Sequence, residues 1–212
     1  PEEETKRLMQ FLPDVLKVSM VPVSVDSYHY ETMETALKAG AHIVNDIWGF
    51  QYDDGSMAKT AAAFDVPVIL MHNQETEVYG KDMMDDLKHF FDKSIEIALS
   101  AGVRAENIIL DPGIGFGKNA EQNMEILKRL DELTLAFPCP WLLAVSRKRF
   151  IGTILGTDAD QRHEGTAAVN LWGAEKGCSI YRVHDVKTTA RELAVWDALR
   201  LFQGKGESYG SY

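Results

Sequence analysis

Six short apolar runs punctuate the chain, at residues 21–25, 41–44, 67–71, 107–110, 141–145 and 179–183, and each gives way to polar residues before a helical pattern begins. Helical periodicity falls between and around them, at 2–18, 30–39, 55–64, 82–101, 120–136, 164–176 and 187–203. Runs that are apolar throughout, rather than alternating, suit strands buried on both faces, which favours a parallel sheet. Strands that alternate with helices read as successive βα units. Six such units without a doubly wound crossover signal predict a TIM (β/α)8-type barrel that is incomplete, with six parallel strands. A full barrel takes about 250 residues. The 212 residues here therefore read as a barrel shortened at its N-terminal end. The expected organisation is one domain over 1–203 and a flexible Gly/Ser-rich tail over 204–212.

In a parallel α/β protein, ligands meet the carboxyl ends of the strands. The residues at those ends are Asp26, Asn45, His72, Asp111, Lys148, and Arg182 with His184. Capping of the next helix explains Asp26 or Asn45 taken singly. It does not explain Lys148, Arg182 or His184, which are poor N-caps. Asp111 opens the glycine-rich segment Asp111-Pro-Gly-Ile-Gly-Phe-Gly117. Its spacing is neither the dinucleotide fingerprint nor a P-loop. Read blandly it is a tight βα turn; read functionally, it brings backbone close to a ligand.

A carboxylate can accept parallel hydrogen bonds from the amino and ring N–H groups of a fused nitrogen heterocycle. Asp26, Asn45 and Asp111 together suit such a ring edge. Ile47, Met71 and Phe116 stand beside them and suit its flat faces, although each alone reads equally well as core. Lys148 is a point cation for a carbonyl or a developing charge, and its bland alternative is a solvated basic patch. Arg182 and His184, two apart on an expected strand, point to one face and suit a phosphate or diphosphate.

The formal net charge of -10 argues against nucleic acid as partner, because a nucleic-acid binder is usually basic or carries a basic stripe. Two cationic clusters in an acidic chain fit one small anionic substrate. No apolar run approaches the ~20 residues of a membrane span, and the first residues carry no signal-peptide pattern. Cys139 and Cys178 form no CxxC. They read as buried thiols in a reducing cytoplasm.

Seven segments in order, Val25-Asp26-Ser27, Asn45-Asp46-Ile47, Leu70-Met71-His72, Leu110 to Gly117, Ser146-Arg-Lys-Arg-Phe150, Glu164-Gly-Thr-Ala167 and Arg182-Val-His-Asp185, resemble dihydropteroate synthase. Arg149 in the fifth resembles Gram-positive members. The resemblance implies a TIM-barrel transferase of folate biosynthesis and sulfonamide target. Such an enzyme condenses 6-hydroxymethyl-7,8-dihydropterin diphosphate with p-aminobenzoate and releases pyrophosphate. It assigns Asp26, Asn45, Ile47, Met71, Asp111, Phe116 and Lys148 to the pterin, and Arg182 and His184 to the diphosphate. Phe116, Lys148 and Arg149 are assigned to the p-aminobenzoate pocket. It further implies Mg2+, a homodimer through C-terminal helices, and a cytoplasmic protein.

Ala144 stands where the family usually has Gly. The family's first two strand-end loops, one carrying its magnesium-associated Asn, have no counterpart in the sequence. A six-strand barrel with two open edges is then expected to need a partner, a rearranged edge or those units for stability, and its activity is open. Two other readings remain: a non-catalytic pterin-binding fragment, and a pterin-binding methyltransferase domain. The second fits the anion clusters poorly, because its substrate has no diphosphate.

Overall fold

The computed structural model describes residues 1–202, so the expected tail over 204–212 lies outside the described residues. Six strands, β1 (Ser24–Asp26), β2 (Ile43–Asp46), β3 (Val68–Met71), β4 (Ile108–Asp111), β5 (Leu142–Leu143) and β6 (Ile180–Tyr181), alternate with helices. The helices are α1 (Glu2–Met9), α2 (Leu12–Val18), α3 (Tyr30–Lys38), α4 (Ser56–Phe64), α5 (Met83–Ala101), α6 (Ala120–Lys128), α7 (Leu130–Ala136), α8 (Arg149–Leu155), α9 (His163–Glu175) and α10 (Val186–Leu201).

Two expected helices are each divided. The 2–18 helix restarts after Phe11, with Pro13 in the first turn of α2. Proline has no N–H to give and its ring crowds the carbonyl four residues back, so it suits a helix start and breaks an interior. The 120–136 helix breaks at Arg129, which leaves helical geometry at φ -102, ψ 18. The Arg129 guanidinium is held there by Asp82, Glu125 and Glu132. One helix, α8, has no counterpart among the expected ones. Gly152 weakens its signal, yet a Cβ at that position would lie 2.3 Å from the Arg162 guanidinium.

Four strands pair in parallel in chain order, β1-β2-β3-β4, and β5 pairs with β6 in parallel. A parallel bridge between Leu110 and Trp141 joins the two sheets. The array is an incomplete barrel whose outer strands are β1 and β6. Both strands are short: residues expected at 21–23, and at 179 and 182–183, lie outside β1 and β6. Among the described residues β1 and β6 do not pair with each other, and a hollow lined by Phe11, Val15, Val23 and Val25 opens beside β1.

The register separates the two faces of the sheet. Asp26 pairs with Asn45, Asn45 with Ile69, and Ile69 with Ile109, while two residues further on Met71 pairs with Asp111. Partners in register share a face and alternate residues share a face. Asp26, Asn45, Ile69, Met71, Ile109 and Asp111 therefore all project to the concave side. The intervening residues Val44, Val68, Leu70 and Leu110 face the helices and are each 0% exposed. Phe91 of α5 closes this layer against Trp141, with ring centroids 5.0 Å apart.

The two faces should respond differently to truncation. We expect Leu110→Ala to destabilise by about 2–5 kcal/mol through the cavity it leaves. Ile109→Ala, on the half-open concave side, should cost roughly half of that or less. Urea unfolding of both variants checks this; equal losses would contradict the facial assignment.

Candidate active site

The floor of the concave side is polar at its carboxyl-terminal rim. The backbone N–H of Ser27 donates to Asn45 O at 3.2 Å, which carries the exit of β1 alongside β2. Asn45 is 6% exposed, and its side-chain amide has no hydrogen-bond partner among the described residues. Buried amides rarely stay unmatched, so Asn45 is a group prepared for a ligand or water. Asp111 is also buried, and its Oδ1 accepts from Gly113 N at 2.8 Å. Burial pushes its carboxyl up, against the pull of Lys148, Lys118 and Arg182.

The loop after β4 is shaped by glycines with positive φ: +66° at Gly113, +85° at Gly115 and +56° at Gly117. A Cβ on Gly113 would stand 1.9 Å from His72 O, and one on Gly117 would stand 2.4 Å from Gln74 O. Neither the dihedral nor the space admits a side chain. The loop thus lies directly on the segment after β3. Lys118 fastens it there: its Nζ reaches His72 Nδ1 at 2.8 Å, Phe116 O at 2.9 Å and Gly113 O at 3.0 Å. Asn123 Oδ1 accepts from Gly115 N at 2.6 Å.

Lys148 meets this loop from the next strand. Its Nζ lies 4.3 Å from the centre of the Phe116 ring, a cation–π contact. Burial pulls its ammonium down, while Asp111 supports the charge. The turn that delivers it is strained. Arg147 has φ +59°, a conformation a non-glycine residue keeps only when its surroundings hold it. Here Thr166 Oγ1 accepts from Arg147 N at 3.1 Å, and the Arg162 guanidinium donates to Arg147 O at 2.9 Å. Arg149 is exposed at the first residue of α8. Its guanidinium has no partner among the described residues, and no contact joins it to Lys148 or Phe116.

The two expected anion binders lie beyond the end of β6 rather than on a strand. Ladder bonding continues only as far as Arg182 N, which donates to Leu143 O at 3.1 Å. The Arg182 guanidinium spans the open mouth to Asp26 Oδ2 at 3.0 Å, with the two side chains 62% and 39% exposed. An ion pair this exposed contributes little and is readily exchanged for a ligand anion. His184 Nδ1 lies 2.8 Å from Ser146 Oγ, so the loops after β5 and β6 are tied together.

Of the residues singled out from the sequence, Asp26, Asn45, Met71, Asp111, Phe116, Lys148 and Arg182 gather around one mouth. Ile47 is half-buried just past β2. His72 does not face the opening: it is 2% exposed and lies under the glycine loop. Burial and the charge of Lys118 hold it neutral, with its pKa lowered to about 2. Cys178 is buried, its thiol pushed up to about 12, whereas Cys139 is only half-buried.

Three supporting residues escape the sequence reading. Lys118 follows the glycine run by one residue, and that adjacency is its signal. Asp46 accepts from Trp48 N at 2.8 Å and Phe50 N at 3.0 Å. Burial raises its carboxyl to about 6. Arg162 carries no local signal, because its role depends on a loop 15 residues earlier.

A polar rim of two aspartates, an amide and facing cations on an incomplete parallel barrel defines a small-molecule enzyme of the pterin-binding class, and the family model described as "Pterin binding enzyme" matches residues 1–184. The chain is 44% identical to the dihydropteroate synthase of Bacillus subtilis (strain 168) over 198 residues, which are 93% of this chain and 68% of that protein. The crystal structure of Clostridium difficile dihydropteroate synthase in the presence of pteroic acid superposes with a TM-score of 0.90 at 42% identity, covering 93% of this chain and 74% of that one. The Thermus thermophilus enzyme in complex with 6HMPPP gives a TM-score of 0.87 at 42% identity, over 94% and 78% of the two chains. The chain belongs to the dihydropteroate synthase family, TIM-barrel transferases of folate biosynthesis that join 6-hydroxymethyl-7,8-dihydropterin diphosphate to p-aminobenzoate and release pyrophosphate.

His72 gives the site a pH signature. Above its ordinary value of 6.5 it is neutral folded and unfolded, and contributes nothing. Below 6.5 the unfolded chain takes a proton that the folded one does not. The fold then loses up to about 1.4 kcal/mol per pH unit. Replacement by a non-titrating acceptor, His72→Asn, should shrink the stability lost between about pH 7 and about pH 5 by about 2 kcal/mol. Denaturant unfolding at the two pH values checks this; an unchanged difference would contradict a buried neutral imidazole.

Proposed function

We propose that the pterin ring lies on the concave side with Asn45 and Asp111 along its hydrogen-bonding edge, Asp26 at its rim and Lys148 over it. Ile47, Met71 and Phe116 would supply its walls. The observation that carries this reading is the register, which aligns Asp26 with Asn45 and Met71 with Asp111 on one face. Arg182 and His184 take the diphosphate, Arg182 leaving Asp26 to do so. The p-aminobenzoate enters between Phe116, Lys148 and the Arg149 turn. The methyltransferase alternative gains no support, since the matched relatives and structures are named as dihydropteroate synthases.

The chemistry asks for no protein nucleophile. The C–O bond between the pterin methylene and the diphosphate breaks, and the aniline nitrogen of p-aminobenzoate forms the new C–N bond and loses a proton. Arg182 and His184 stabilise the charge growing on the leaving group. Asp111 and Asn45 fix the ring so that the methylene faces the incoming amine. Magnesium, which the family resemblance implies, would add to the positive charge that Arg182 and His184 offer the leaving diphosphate. Among the described residues no group of three or more His, Cys, Asp or Glu side chains is placed to hold a metal ion. No helix among them is long and apolar enough to cross a membrane, and the two free thiols support a cytoplasmic setting.

Lys148→Ala should lower kcat/KM by about 100-fold or more, and Arg182→Ala by about tenfold or more, in a turnover assay with the pterin diphosphate and p-aminobenzoate. Unchanged turnover in both would overturn the assignment. Calorimetry that finds pterin binding without turnover in the parent chain would support the non-catalytic fragment instead.

Homodimer formation is proposed through the helices on the far side from β1. A groove of 790 Å³ between α6, α8 and α9 is lined by Met124, Ile154, Leu155 and Trp172, which are each about half exposed or more. The Trp172 indole N–H is already satisfied by Leu127 O at 2.7 Å, so its exposed ring offers only apolar surface. An Ile154→Glu/Trp172→Glu variant should sediment as a monomer while the parent sediments as a dimer. A monomeric parent would contradict this.

A further inference from the structure

Lys118 is 6% exposed, the one buried Lys or Arg among the described residues. An ammonium has three hydrogens and no lone pair. Three acceptors stand at hydrogen-bonding distance: His72 Nδ1 at 2.8 Å, Phe116 O at 2.9 Å and Gly113 O at 3.0 Å. The match satisfies a charged Lys118 completely when the His72 proton is on Nε2. A neutral amine would have to accept from a His72 Nδ1–H instead, and the nearby Asp111 carboxylate favours the ammonium.

The charges around Asp111 then separate by availability. Lys148 comes from the loop after β5, Arg182 from the end of β6, and Lys118 from the loop of Asp111 itself, and all three favour its ionised form. The Cys178 thiol also senses Asp111 and is held neutral by burial. His72, behind Lys118, is neutral as well. Lys148 and Arg182 are half-buried and exposed at the mouth, where an entering substrate engages them. Lys118 has every hydrogen committed to protein and is closed to substrate. Burial drives Asp111 and Lys118 both toward neutrality, and each one's charge opposes this in the other.

We propose that Lys118 is a positioning residue of the pterin pocket: it locks the glycine loop onto His72 and supplies the resident positive charge that keeps Asp111 a carboxylate able to accept two hydrogen bonds. This rests on the assignment of Asp111 to the pterin. A protonated Asp111 would present one donor where the ring edge also donates, and the ring would lose its anchor.

The test uses the whole chain and Lys118→Met, which keeps length and removes charge. The first readout is the carboxyl ¹³C titration of Asp111 without ligand; the second is the pH dependence of pterin binding by calorimetry. In Lys118→Met the Asp111 midpoint should rise by about one pH unit or more. For a one-unit rise, pterin affinity should fall about twofold at pH 7 and about tenfold near pH 5, and recover in alkaline buffer as Asp111 ionises again. A merely structural loss would not recover. An unmoved Asp111 midpoint in a folded Lys118→Met variant would overturn the proposal. A moved midpoint with pterin affinity indifferent to it supports the charge coupling and overturns the assignment of Asp111 to the pterin. If Lys118→Met does not fold, His72→Leu against His72→Asn decides. The Leu variant, lacking the acceptor, should move the Asp111 midpoint further than the Asn variant, and equal midpoints would overturn the proposal.

Discussion

A carboxylate removed from water needs positive charge close by, and the mouth of this barrel is arranged around that requirement at Asp111. Burial alone would leave the group protonated. Lys118 from below, Lys148 from the next strand and Arg182 from the far edge oppose this. The strand register brings Asp111 level with Met71, and so to the same face as Asn45 and Asp26. Packing and chemistry therefore depend on one arrangement. The aliphatic residues that face the helices fix the strands, and the fixed strands set the polar rim.

The loops at the rim are held by contacts that tolerate little change. The glycine loop approaches the segment after β3 so closely that a methyl group at Gly113 would overlap the His72 carbonyl. The turn carrying Lys148 keeps a left-handed Arg147 because Thr166 and Arg162 hold both of its backbone groups. By contrast, the Arg182–Asp26 pair is solvent-exposed and contributes little to stability. The site thus combines rigid placement of the ring-facing groups with a loosely held cation for the leaving group.

Much of this is legible in the sequence, for reasons that can be traced to particular residues. Continuous apolar runs such as Val68-Ile-Leu-Met71 identify parallel strands, and the polar residue after each marks the rim. The family segments carry the rest of the assignment. What stays hidden depends on tertiary contact. Pro13 and Arg129 divide helices whose periodicity continues through the break. The helix α8 is masked by Gly152, kept small by an arginine that follows it in the chain. Lys118 reaches the His72 ring and Arg162 the Arg147 backbone, so these roles exist only after folding, while Asp46 ties the backbone of its own loop. His72 reads as a rim residue because it ends a strand, but the glycine loop covers it.

The central claim is that the aspartates, the amide and the cations form one receptor for a bicyclic ring and its diphosphate. Crystals of this chain soaked with 6-hydroxymethyl-7,8-dihydropterin diphosphate test it most directly. The account predicts ring density between Asn45 and Asp111 beneath Lys148, with the diphosphate drawn to Arg182 and the Arg182–Asp26 pair parted. Ring density anywhere else, or an intact Arg182–Asp26 pair beside a bound diphosphate, would contradict it.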